Sequence, residues 1–344
     1  MGLFRRERPL LAYLLRRIGY LIFVVWGVGF AAFFLSRVVP ADPAAAALGG
    51  NAREEQIEAY REKFGLNDPV IVQYVHYMGD LFRGDLGTSL RTRRPIIEDL
   101  KDYFPATLEL TAAAMLLALV FGIPAGLIAA LYRNRPVDLL VRTVALIGGA
   151  TPVYWLAILM INFFHARLGW LPGPGRLDAF LFPPETVTGI VSIDALLARD
   201  YEVFWDALKH LILPAVVLGA FSTALLARMV RSAMLEVMSQ DFIRTARAKG
   251  LRGRVVVLKH GLRNAALPIL TVSANVLGSL LTGAVLTETI FSWPGIGSYA
   301  TSSAIGLDFP AVMGVTLVAG LTYALVNLLV DMLYAFFDPR ISYA

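Results

Sequence analysis

The sequence predicts an all-α integral membrane protein with six transmembrane helices and both termini in the cytoplasm. Three observations carry this prediction. The 344-residue chain is 57% hydrophobic with a mean hydropathy of +0.63, above the roughly 45–50% apolar content of a soluble domain. Six windows lack charge and approach or exceed the about 20 residues that span a hydrocarbon core: Ile18–Ser36, Leu110–Tyr132, Thr143–Phe164, Leu211–Ala227, Ala265–Thr287 and Phe309–Val330. Charge is also unevenly divided. With the N-terminus inside, segments 1–17, 133–142, 228–264 and 331–344 carry 18 Lys/Arg and 6 acids, against 13 and 20 in the remainder. That is the positive-inside bias. The net charge of +5 therefore reflects topology, and nucleic acid is not an expected partner.

The first window follows Arg5, Arg6 and Arg8. Its 19 uncharged residues exceed the usual signal-peptide core of about 7–15, so a retained anchor is expected. The chain then divides into 1–36 (tail and first helix), an external segment 37–106, a five-helix core 107–338 and a tail 339–344. Within the external segment, Arg53–Phe64 has apolar residues at Ile57, Tyr60 and Phe64, the spacing of a short surface helix. Gly65-Leu66-Asn67-Asp68-Pro69 ends it. Val70–Phe82 predicts a second helix, and Pro95–Tyr103 leads into the second span.

The second span contains a Gly122-Ile123-Pro124 break and the third a Gly148-Gly149-Ala150-Thr151-Pro152 break. Broken helices are tolerated in membranes where neighbours or a cavity satisfy the freed backbone, so bent helices around a pathway are expected. The second external segment, 165–210, holds a predicted helix at Ser192–Ala198. The fourth window has 17 residues, with His210 at one interface and Arg228 snorkelling at the other. Residues 288–308 read as a re-entrant or capping element.

Between the fourth and fifth windows lies a cytoplasmic loop, 228–264. From Arg228 to Pro268 the chain has nine Lys/Arg and two acids, Glu236 and Asp241. Met234, Met238, Phe242 and Ala246 recur every fourth residue, one stripe of an amphipathic helix, and Gly250 follows where a helix C-terminus favours it. A folded, basic loop under the membrane implies a soluble partner.

Several chemistries are excluded. No cysteine is present, which removes disulfides and thiolate metal sites. There is no phosphate-binding G-x-x-x-x-G-K-[ST], no H-E-x-x-H and no G-x-S-x-G. No cofactor or metal is expected. Glu109, Glu288, Asp308 and Asp331 fall at predicted span ends, which argues against a proton relay buried in the membrane. Asn162, Asn275 and Asn327 read as interhelical contacts, with Thr151 and Asn275 as pathway candidates.

DFIRTARAKG, LKHGLRNAALPILT, GAVLTETIFSWPGIG, VNLLVDMLYAFFDPRI, ATPVYWLA and DLGTSLRTRRPI together resemble ATP-binding-cassette importer permeases. The similarity is to the B-type subunit of the dipeptide/oligopeptide/nickel branch, over nearly the whole chain. The general family loop reads Glu-Ala-Ala, three residues, Gly, then Leu-Pro. Here Arg244, Thr245 and Ala246 precede Gly250, and Leu267-Pro268 closes the motif, so only the second alanine and the glycine keep their places.

The resemblance implies the type I importer permease fold in the inner membrane, with multiple spans and no enzymatic activity of its own. It further implies a second permease subunit, two cytoplasmic ATP-binding subunits and an external solute-binding protein. Peptides, nickel complexes or oligosaccharides are the implied solutes. Phe242, Arg244, Ala246, Arg247, Lys249, Gly250, Leu267 and Pro268 would form the loop that couples the ATPases to transport. The competing reading is a secondary transporter or channel that does not use ATP.

Overall fold

The computed structural model describes residues 19–20, 22–34, 43–48, 52–63 and 65–337. The basic tail 1–17, the start of the external segment at 37–42, Phe64, the Asp331 side chain and the DPRI segment lie outside the described residues. The described chain is helical: α1 Ile22–Phe34, α2 Pro43–Leu48, α3 Glu54–Lys63, α4 Val70–Phe82, α5 Ile96–Leu131, α6 Pro136–Ala150, α7 Val153–Arg167, α8 Val191–Leu197, α9 Tyr201–Met238, α10 Asp241–Ala248, α11 Gly253–Gly283, α12 Val285–Ile290, α13 Ile296–Ile305 and α14 Phe309–Phe337. Among the described residues, α5, α9, α11 and α14 are long and apolar enough to cross a membrane, and the bent pair α6–α7 is apolar enough to be a fifth, broken span or a re-entrant loop.

The chain divides into two compact units. One comprises residues 1–107, 294–325 and 343–344. Within it, Phe33 packs on Tyr74 and Tyr77 of α4, and burial of the Tyr77 hydroxyl, with Tyr74 beside it, pushes its pKa up to about 12. Ile96 and Leu100 form a core with Ile296, Tyr299, Ala311 and Val315. The loop before α5 is pinned by two buried acids. Asp99 accepts hydrogen bonds from Thr92 Oγ1 at 2.6 Å and Tyr299 Oη at 2.9 Å. Asp308 accepts from Ser89 Oγ and from the Arg91 amide, while its other oxygen caps the Ala311 amide of α14. Asp308 thus acts as a buried helix cap.

The other unit comprises residues 108–293 and 326–342, and α9 runs through its centre. Two-thirds of the apolar window of α9 is buried, against a third or less in α5, α11 and α14. At 38 residues and 1.5 Å per residue the helix is about 57 Å long, nearly twice the roughly 30 Å of a hydrocarbon core. The expected 17-residue span Leu211–Ala227 is therefore only its middle, and the expected loop 228–264 is largely helix. Asp200 starts α9 by accepting from the Val203 amide at 3.1 Å.

Helix α5 approaches α9 closely. A β-carbon at Gly126 would lie 2.4 Å from the Ala227 carbonyl oxygen and 2.7 Å from Val230 Cβ, and one at Gly122 would lie 3.0 Å from the Thr223 carbonyl oxygen. Gly122 and Gly126 form the small-xxx-small pattern that lets membrane helices touch through their backbones.

Both expected helix breaks are present. Residues Ala118–Gly122 form a π-helical turn just before Pro124, whose ring cannot donate a backbone hydrogen bond. Thr151 adopts an extended ψ of 125°, the conformation that a following proline favours, and α6 and α7 bend there by 104°. Glu109 sits immediately before the uncharged window Leu110–Tyr132. It lies inside α5, buried, ion-paired with Arg176, and accepts the Ser192 amide at 3.0 Å. Arg176 also lies over the Trp293 ring at 5.5 Å. A window scan registers the charge but not the partner 67 residues away.

Candidate coupling site

The predicted coupling residues fall at the lower end of α9, in α10 and in α11. Helix α9 stops at Met238. The Ser239 hydroxyl donates to the Glu236 carbonyl at 2.7 Å, and Gln240 is extended, so the chain turns before α10 begins. Asp241 in the first turn and Arg247 in the last complement the helix dipole.

Eight residues are too few for a helix to persist alone in water. Packing on one side and a cap at one end hold α10. Ile243 and Ala246 are buried with Val256 of α11, and Met238 packs against them. At the other end Gly250 takes φ +73°. Its amide donates to the Arg247 carbonyl at 2.9 Å, and the Leu251 amide to the Ala246 carbonyl at 3.4 Å. This is the paired geometry of a Schellman cap, with glycine in its left-handed position.

The stripe expected from the sequence is interrupted in the structure. Met234, Met238, Phe242 and Ala246 do not share one helix, because the break at Ser239–Gln240 separates the first two from the rest. Met234 and Ala246 are buried, whereas Phe242 is 37% exposed. The buried face of α10 is Ile243 and Ala246, and sequence reasoning singled out only the second. Phe242, Arg244, Arg247 and Lys249 are exposed. Arg244 touches Asp241 at 3.4 Å, but both side chains are open to solvent, where such a pair contributes little. The exposed face of α10 thus offers one aromatic ring and three cations.

Leu267 and Pro268 lie elsewhere, inside α11 and exposed. Pro268 follows a π-helical segment, Val256–Leu262. Gly261 in that segment meets α9 closely: an added β-carbon would lie 3.0 Å from Met234 Cε and 3.1 Å from Met238 Sδ. The start of α11 is therefore seated on the same residues that end α9.

Of the two pathway candidates, Thr151 sits at the α6–α7 bend. Its hydroxyl donates to the Ile147 carbonyl at 2.7 Å, and it lines an open cleft of about 470 Å³ with Ile147, Ala150, Pro152, Tyr154 and Trp155. Asn275 lies on the exposed side of α11. Among the described residues no group of His, Asp and Glu is arranged to hold a metal.

Six of the eight residues that the resemblance assigned to a coupling loop thus fall on, or just after, a capped basic helix that follows the long helix α9. A family model described as the binding-protein-dependent transport system inner membrane component matches residues 122–343, and the corresponding N-terminal model matches residues 10–111. The chain belongs to this family.

Its similarity to individual members extends over nearly the full length. The probable D,D-dipeptide transport system permease protein DdpB of Escherichia coli is 51% identical over 94% of this chain and 95% of that protein. The dipeptide transport system permease protein DppB of Alkalihalophilus pseudofirmus is 44% identical over 97% of this chain and all of that protein. Among solved structures, a chain of the MetNI methionine ABC transporter in an inward-facing conformation matches with a TM-score of 0.52 and 19% identity, covering 68% of this chain and 93% of that one. That likeness shows a shared fold. This family member is accordingly a multi-pass inner-membrane permease component.

Proposed function

We propose that this permease is one half of the translocation pathway of an ATP-dependent dipeptide importer. It pairs with a second permease subunit, receives peptide from an external solute-binding protein, and is driven by two cytoplasmic ATP-binding subunits that perform all of the hydrolysis. Six spans with both termini inside, residues 37–106 outside and a core over 107–338 complete the arrangement. The dipeptide assignment rests on the similarity to the two dipeptide permeases described above. Nickel complexes and oligosaccharides remain the other solutes of the branch.

One observation carries the mechanical reading: α10 leaves Phe242, Arg244, Arg247 and Lys249 in solvent while Ile243 and Ala246 fasten it to α9 and α11. Such a helix is anchored to the membrane domain on one side. On the other it presents a ring flanked by cations, suited to an apolar groove with an acidic rim. It performs no chemistry. ATPase closure would move α10, and α9 would carry that movement into the bilayer.

Uptake of a labelled dipeptide into proteoliposomes holding the permease pair, the ATPases and the binding protein tests the reading. Uptake should require ATP and persist with an ionophore. Uptake without ATP, or its collapse by the ionophore, would instead establish a secondary transporter.

A further inference from the structure

We propose that the buried ion pair between Asp138 and Arg231 is a positioning strut that carries movement of α10 to the bend between α6 and α7. This inference rests on the coupling reading above and names the route inside the permease. Arg231 lies on α9, ten positions before Asp241. Its Nε donates to Asp138 Oδ1 at 2.7 Å and its Nη2 to Asp138 Oδ2 at 2.8 Å. The Asp138 side chain is 1% exposed and that of Arg231 21%. A planar, two-bond contact of this kind fixes direction as well as distance. Asp138 also accepts the amide of Asn134 at 2.9 Å, in the turn joining α5 to α6, where Asn134 takes φ +62°. One carboxylate therefore ties together the end of α5, the first turn of α6 and the cytoplasmic part of α9.

The surrounding packing makes this a rigid junction. Gly126 of α5 abuts Ala227, Val230 and the Arg231 amide, so α5 and α9 are in backbone contact on the very turn that bears Arg231. Below the junction, α9 continues unbroken for seven residues to Met238, then turns into α10. Above it, α6 continues from Asp138 to Ala150, about 18 Å of helix at 1.5 Å per residue. It ends at Thr151 and Pro152, where the chain bends by 104°.

A tilt of α9 imposed at α10 would pull Asp138 with it, and α6 would deliver that displacement to the bend and to the cleft beside Thr151. Ordinary apolar packing between α6 and α9 could slide. A bidentate buried pair resists sliding, because separation leaves two charges without partners.

The test uses the assembled transporter in proteoliposomes and reads dipeptide transported per ATP hydrolysed. Three variants are compared with wild type: Asp138→Asn, Arg231→Lys, and the exchange Asp138→Arg with Arg231→Asp. Neutralising the acid or removing the guanidinium fork should leave ATPase subunits bound and hydrolysing, while transport per ATP falls about tenfold, within the usual range of coupling between sites. The exchanged pair should recover a substantial part of the lost ratio.

Unchanged transport per ATP in both single variants would overturn the proposal. So would a fall in transport and hydrolysis in equal proportion to the amount of assembled complex, or failure of both variants to accumulate in the membrane, since each marks a contact that holds the fold without transmitting movement. If the wild-type complex itself shows no ATP-driven uptake, the functional reading fails; wild-type uptake with unaffected variants removes only the strut.

Discussion

Gly250 offers the sharpest separation of conformational from steric effects in the coupling region. It holds φ +73°, and a β-carbon added there would meet nothing within 4 Å. Any cost of a side chain at this position is therefore backbone conformation alone. For a β-branched residue in the left-handed region that cost is about 1–2 kcal/mol. Asparagine enters the same region far more readily, so Gly250→Asn should lose only a fraction of it. A difference of 1–2 kcal/mol changes an equilibrium by roughly 5- to 30-fold. Here it acts on an eight-residue helix fastened by Ile243, Ala246 and its cap. Gly250→Val should therefore leave the permease inserted, expose the Gly250 and Leu251 amide positions to faster hydrogen exchange, and weaken ATPase co-purification or uncouple hydrolysis from transport. Gly250→Asn should stay near wild type in all three. Equal behaviour of the two variants, whether both impaired or both normal, would refute the conformational argument.

Other outcomes follow from the same structure. Arg247→Glu places an acid on the exposed face of α10 and should reduce ATPase co-purification without altering the thermal unfolding of the isolated permease. Gly126→Val drives a side chain into the Ala227 carbonyl at 2.4 Å and should destabilise the α5–α9 contact by about 1–3 kcal/mol, read as a lower unfolding temperature in detergent. Arg176→Ala leaves buried Glu109 without its cation and should cost about 3–5 kcal/mol in the same assay. Single cysteines at exposed Asn67, Glu185 and Ala304 should react with an impermeant thiol reagent in intact cells, and cysteines at Arg135 and Arg252 should not; labelling of the last two would overturn the six-span orientation. Burial of Asp194 works against its charge, but hydrogen bonds from Thr188, Gly189 and Val187 outweigh it and hold its carboxyl below the ordinary range. Its stabilising contribution to the 187–194 segment is present above the ordinary carboxylate value of about 4 and lost as pH falls through the lower folded value. Protection of those amides, taken relative to their intrinsic exchange rate at each pH, should thus be flat at neutral pH and fall only in acid below about pH 4.

Local signals carried the sequence reading where local physics decides the outcome. Helix α4 covers the predicted Val70–Phe82, and α8 lies within one residue of the predicted Ser192–Ala198. Pro124 and Pro152 marked a π-helical turn and a sharp bend because a missing amide and a restricted preceding residue act on immediate neighbours. Gly250 was legible for the same reason: the cap geometry is complete within six residues.

The failures share the opposite cause. The uncharged window for α9 ends at Arg228 because a charge in a membrane helix is costly, yet the helix continues past Arg231, whose charge is met by an aspartate 93 residues earlier. Glu109 reads from the sequence only as a charge at a span end, while the cation that pairs with it, Arg176, lies 67 residues on. The four-residue stripe followed a true helical period across a chain break that hydrophobicity does not register. Only the packing of Val256 against Ile243 and Ala246 decides which face of α10 is inward. In each case the sequence shows one half of a pair. The same property makes these residues informative about mechanism. A contact between distant segments of the chain is where movement can pass from one helix to another, and Asp138–Arg231 joins the central helix that leads into α10 to the helix that ends at the bend.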